Sequence, residues 1–152
     1  MKKAFTLIET VFCISIIILL LSIGIVNIKK IDEYKAKKEF EFTATMLLKD
    51  LRYAKDQAAS SNDIHIVFNK NKNGYYIYSV INCKVKYLKR VNFDKGIYID
   101  SKDSTIPYDR KITFTNAGAI EPCCSITVKD KKNSATITLK PVVFSISYKK
   151  DK

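Results

Sequence analysis

The chain has 152 residues, with 27 Lys and Arg against 15 Asp and Glu, one His, four Cys and no Trp. That length has room for one soluble domain of about 120 residues, enough for a modest core, beside one long apolar segment. The formal net charge of +12 favours polyanions such as nucleic acid, teichoic-acid-like polymers or acidic lipid headgroups, or else marks a solvated lysine-rich surface. The lysines are scattered and form no compact basic helix. Only four Gly and three Pro argue against a long disordered linker.

The first stretch, Met1 to Lys30, opens with Lys2 and Lys3, continues through Ala4-Phe5-Thr6-Leu7-Ile8 and meets one acid, Glu9. From Thr10 to Ile28 no residue is charged, and most are Ile, Leu, Val or Phe. Those 19 residues, at about 1.5 Å each, give roughly 28 Å of helix, close to the hydrocarbon thickness of a bilayer. A buried core helix rarely stays apolar on every face for this long. A secretory signal peptide has a shorter apolar region and a small-residue cleavage site, which Asn27-Ile28-Lys29-Lys30 does not offer. Glu9 admits two readings. An acid at the margin of a membrane segment adds a cost of a few kcal/mol and asks for a partner, whereas an acid in the first turn of a helix favours the positive end of its dipole.

Lys2-Lys3-Ala4-Phe5-Thr6-Leu7-Ile8-Glu9 followed by an apolar run resembles the N-terminal signature of type IV prepilins and pseudopilins. The resemblance implies a leader of residues 1–4, cut by a prepilin peptidase between Ala4 and Phe5, with N-methylation of the new Phe5 terminus. It also implies that Glu9 neutralises a terminal amine, usually a neighbouring subunit's, as the helices pack into a filament. Other pilins or pseudopilins and an inner-membrane assembly platform are the implied partners. The departure is Ala4, where the family usually has Gly.

After Lys30 the helical pattern continues and becomes amphipathic. Phe40, Ala44, Leu47, Leu48, Leu51, Ala54 and Ala58 recur at three- and four-residue spacing, and charged residues fill the other face. Ser60-Ser61-Asn62-Asp63 supplies a turn. A helix from Phe5 to about Ser60 would be roughly 80 Å long, with residues 5–30 in the membrane or filament core and 31–62 amphipathic.

From Ile64 the period changes to two. Strands are predicted at Ile64–Phe68, Tyr75–Ile81, Lys84–Val91, Gly96–Asp100, Lys111–Thr115, Ser125–Val128, Ala135–Leu139 and Val142–Tyr148, with a hairpin loop at Asn69–Gly74. The fold class is therefore α+β, a long N-terminal helix packed on an antiparallel sheet or sandwich domain spanning residues 63–152. This order is similar to the H-type minor pseudopilins of type II secretion and to FimT-like and competence minor pilins. Ile112-Thr113-Phe114 with Gly118 shortly after matches their C-terminal pattern.

The cysteines divide by compartment. Cys13 lies in the apolar run as a small hydrophobe. Cys83, Cys123 and Cys124 would sit on the exported side, where a bridge from Cys83 to Cys123 or Cys124 leaves one thiol over; an unbridged set is the alternative. The adjacent pair lacks zinc-ligand spacing. No cofactor and no catalytic group is expected. His65, the only histidine, has no nucleophile beside it in sequence, and no Gly-x-Ser-x-Gly elbow or phosphate loop occurs. Asp100, Asp103 and Asp109 share one polar loop without EF-hand spacing and read as solvated. Tyr75, Tyr76 and Tyr78 offer stacking surfaces for single-stranded nucleic acid, or simply build the sheet.

These readings converge on a non-enzymatic filament subunit in the cytoplasmic membrane, N-terminus in and β domain outside. It would serve competence DNA uptake, type II secretion or a type IV pilus, with DNA as a further partner. The rival is a single-pass membrane-anchored binding or sensor domain.

Overall fold

Thr6 begins the described part of the chain. The computed structural model describes residues 6–60, 62–94, 96–117, 119–140 and 144–150, with the side chains of 23–29 and 144–150 left out. The chain divides into two units, Met1–Lys38 and Glu39–Lys152. Helix α1 (Leu7–Ser60) starts in the first and ends in the second.

In the second unit the helix is held by its apolar stripe. Phe40, Ala44, Leu47, Leu48, Leu51, Ala54 and Ala58 are all buried, as their three- and four-residue spacing predicts. Among the described residues nine strands follow: β1 (Ile64–Phe68), β2 (Gly74–Ile81), β3 (Lys84–Asn92), β4 (Tyr98–Ile99), β5 (Lys111–Phe114), β6 (Ile120–Glu121), β7 (Ser125–Lys129), β8 (Asn133–Leu139) and β9 (Phe144–Lys150). They form a five-stranded sheet, β3-β2-β1-β5-β6, and a four-stranded sheet, β4-β7-β8-β9. Every pairing is antiparallel. The helix stripe shares one core with Ile64, Ile66, Ile77, Ile112 and Phe114 of the larger sheet and Ile126, Val128, Ile137 and Leu139 of the smaller. The class is α+β as expected. The two-residue β6 was not expected, because two residues carry no period to read.

Register places alternate residues of the larger sheet in outward rows. Arg90, Tyr76, Val67 and Lys111 align across four strands, and Tyr87, Tyr78, His65 and Thr113 form the next row. The inward set includes Tyr75, which is fully buried. Tyr75 Oη donates to Asp50 Oδ2 at 2.5 Å, and Lys89 Nζ donates to Asp50 Oδ1 at 2.7 Å. One carboxylate on α1 thus ties β2 and β3 to the helix. The expectation that Tyr75 joins a stacking surface is corrected: burial beneath the sheet removes both its faces from solvent.

Tyr75→Phe is expected to cost about 1–3 kcal/mol near neutral pH, since it leaves one buried carboxylate oxygen without its donor. Burial, then the hydrogen bond to Asp50, push the Tyr75 phenol far above its ordinary range. Its folded value lies above its unfolded value of about 10, so its contribution is complete below that pH and is lost as the pH climbs past it. Denaturant unfolding of the parent and the Phe variant at about pH 7 and about pH 11 should therefore show the gap narrowing at the higher pH. A constant gap would refute this role for the phenol.

The β2–β3 hairpin turns through Asn82 and Cys83, with φ of 50° and 62°. Two successive positive values define a type I′ turn, whose second position usually belongs to Gly. Cys83 is therefore a turn residue, and of the two alternatives the structure shows the unbridged set: Cys83, Cys123 and Cys124 are free. Topology gives the reason. Cys83 closes the β2–β3 edge of the larger sheet, Cys123 follows β6 at the other, and β1 and β5 lie between. The three strand spacings from β2 to β6 amount to roughly 14 Å, while bridged cysteines have Cα atoms within about 7 Å.

Candidate functional site

The head of α1 is built from a four-residue signal, Thr6-x-x-Glu9. Thr6 accepts the first helical bond, from Thr10 N–H to its carbonyl at 3.2 Å, and so occupies the N-cap. Its backbone N–H and its hydroxyl donate to Glu9 Oε2 at 2.9 and 3.0 Å, and Glu9 N–H reaches Thr6 Oγ1 at 3.4 Å. This is a reciprocal capping box, and a cap of this kind stabilises a helix by about 0.5–2 kcal/mol. The dipole reading of Glu9 was too coarse: Thr6 is its specific local partner, and the Thr-x-x-Glu spacing was the signal that could have found it. Both bonds fall on one oxygen. Among the described residues no donor meets Glu9 Oε1, so that oxygen remains an open acceptor.

From Leu7 to Leu21 the helix presents a largely apolar surface. Leu7 is 84% exposed, Phe12 68% and Leu21 62%, and Ile8, Val11, Ile14 and Ile16 through Leu20 are open as well. The polar side chains within this surface are satisfied internally. Ser15 Oγ donates to the Val11 carbonyl and Ser22 Oγ to the Ile18 carbonyl, each at 2.8 Å, and Thr10 Oγ1 to the Thr6 carbonyl at 3.1 Å. Hydroxyls bonded back to the preceding turn need no water, which suits surroundings of lipid or other apolar helices. Cys13 is a free, exposed thiol on the same surface. Among the described residues no helix is long and apolar enough to cross a membrane. The predicted membrane stretch runs on through 23–29, whose side chains lie outside the described residues. The predicted cut between Ala4 and Phe5 also lies outside them.

The remaining sequence candidates do not join this site. His65 is buried, shares a hydrogen bond with Thr113 Oγ1 at 3.1 Å and lies 4.9 Å from the Tyr78 ring. Burial and then Lys111 hold its pKa below the ordinary value. Tyr76, Tyr78 and Tyr87 cluster on the outward face with ring centroids 5.8–6.2 Å apart. The polar stretch after β4 is latched onto β7, where a solvated loop was expected. Thr105 N–H donates to the Ser125 carbonyl at 2.9 Å, and Thr127 N–H to Ser104 Oγ at 2.9 Å. Asp100 and Asp103 converge on Lys129 Nζ at 3.0 and 2.5 Å. Asp109 stands apart and accepts the Lys111 N–H at 3.2 Å.

This fold, a long N-terminal helix followed by two antiparallel sheets, is pseudopilin-like. Two solved structures of the minor pseudopilin EpsH, from the type 2 secretion system of Vibrio cholerae, share it. One superposes with a TM-score of 0.61 at 10% identity, covering 72% of this chain and 96% of EpsH. The other gives 0.59 at 10%, covering 73% and 94%. The sequence matches no protein-family model and no curated protein.

Proposed function

We propose that this chain is a minor pseudopilin-like or pilin-like subunit of a type IV filament system, acting by assembly and not by catalysis. The observation that carries the reading is a capped carboxylate, Glu9, heading an open apolar helix on a chain with the pseudopilin fold. The uncharged run from Thr10 to Ile28 supports anchoring in the cytoplasmic membrane, N-terminus in and β domain out. A prepilin peptidase then removes residues 1–4 and the new Phe5 terminus is methylated. The apolar helix leaves the bilayer for a bundle of other pilins raised by the assembly platform. In that bundle Glu9 pairs with the terminal amine of a neighbour, using the oxygen its own cap leaves open. The resemblance fits competence, secretion and pilus systems alike.

The mass of the N-terminal peptide from protein isolated from its own membrane tests this reading. A chain starting at N-methylated Phe5 is expected. A chain retaining Met1 or Lys2 would replace the filament subunit by a membrane-anchored domain that remains a monomer.

A further inference from the structure

The second unit holds a pocket of 400 Å³ between the ends of the two sheets, remote in sequence from the assembly helix. Its apolar wall includes Phe68, Ile99, Ile106 and Tyr108, and its cations are Lys72 and Arg110. That volume lies within the usual range for small-ligand sites.

Both cation-bearing residues are held in place by the ends of strands. Phe68 N–H donates to the Arg110 carbonyl at 3.0 Å, Ile99 N–H to the Lys72 carbonyl at 2.9 Å, and Arg110 N–H to the Pro107 carbonyl at 2.9 Å. Lys72 and Arg110 have φ of 59° and 57°, a left-handed backbone that residues with a Cβ seldom adopt and glycine fills without strain. Arg110 is partly buried as a residue, and among the described residues its guanidinium makes no hydrogen bond or ion pair. An arginine is charged at every accessible pH and presents five donors in a planar fork. Of the nearby acids, Asp100 meets Lys129 and the Lys102 N–H and also feels the charge of Lys72, Asp103 meets Lys129, and Asp109 accepts from the Lys111 N–H, so none is bonded to Arg110.

We infer that this pocket binds a carboxylate carried on an apolar body, with Arg110 gripping the carboxylate, Lys72 adding charge, and Phe68, Ile99 and Ile106 covering the apolar part. A fork of donors fits a two-oxygen acceptor side by side, and the apolar wall disfavours a bare inorganic anion. The carboxylate has two sources: a small organic acid, or the free C-terminus of a polypeptide with an apolar last residue.

The test uses the full chain in detergent micelles, observing amide and Arg side-chain NMR signals. The probes are N-acetylphenylalaninate, a five-residue peptide ending in free Phe, the same peptide amidated, and inorganic phosphate. Saturable shifts at Phe68, Ile99 and Arg110 are expected with a free carboxylate, and binding at least about tenfold weaker with the amide. Equal binding of both acids supports the small-acid source, and binding of the peptide alone supports a polypeptide terminus. Arg110→Gly suits the backbone at that position, so it should keep or raise the unfolding midpoint while abolishing the shifts. No binding of either acid, equal binding of the amide, binding of phosphate alone, or retention in the folded Gly variant would each overturn the assignment.

Discussion

Glu9→Gln is expected to keep the chain in the membrane and to remove it from the filament. The glutamine can still close the capping box with Thr6, since Glu and Gln serve equally at the third helical position. What it loses is charge. If Glu9 faces a neighbour's terminal amine inside an apolar helix bundle, removing one partner leaves an uncompensated buried charge at a cost of about 3–5 kcal/mol. That is more than a hundredfold in the assembly constant, ample to empty the filament fraction. Insertion is not impaired, because removing an acid from the edge of the apolar segment lowers its transfer cost by a few kcal/mol. Thr6→Ala provides the contrast. It deletes the hydroxyl that donates to Glu9 Oε2 and accepts from the Glu9 N–H, yet keeps the carboxylate, so it should cost only about 1 kcal/mol of helix-end stability and leave incorporation largely intact. Comparing sheared-filament and membrane fractions of the three proteins decides the matter. If Glu9→Gln assembles like the parent, or Thr6→Ala fails as badly, Glu9 is a cap and nothing more.

Gly74→Ala should have the largest effect on the fold. A Cβ there would stand 2.2 Å from the Val91 carbonyl oxygen and 3.0 Å from Asn92 Cα. The obstacle is backbone on both counts, so no rotamer change relieves it. Gly74 is paired with Asn92 at the start of the β2–β3 ladder, and its carbonyl accepts from the Asn69 N–H at 2.9 Å. Admitting the methyl means parting the two strands next to Tyr75 and Val91, both in the core. We expect a loss of about 3 kcal/mol or more, a large share of the 5–15 kcal/mol typical of a folded domain. Gly96 is the internal control. Its φ of 93° strains any other residue, but its missing side chain faces open space. Gly96→Ala should thus cost only about 1–2 kcal/mol. Chemical denaturation of the two variants distinguishes a steric from a torsional glycine: equal midpoints would contradict the clash.

The elements set by local pattern were legible in the chain itself. A run of 19 uncharged residues, a stripe at three- and four-residue spacing and alternation after Ile64 each depend on neighbours a few positions away, and Phe40 to Ala58 are buried as that spacing requires. The Thr6–Glu9 box belongs to the same kind, since its partners are three residues apart. Tertiary structure decided whatever joins distant segments. Asp50 meets Tyr75 and Lys89 across 25 and 39 positions, and no period predicts which carboxylate a strand lysine will find. Alternation placed Tyr75 and Tyr76 on opposite faces, but only the packed helix showed which face was the core. Backbone conformation was hidden as well. The sequence left Cys83 open between a bridge and a free thiol, whereas two-residue closure of β2 and β3 needs a positive φ there and the sheet order carries Cys123 to the far edge. Lys72 and Arg110 lie in separate loops, and become one pocket only because β1, β2 and β4 bring those loops together.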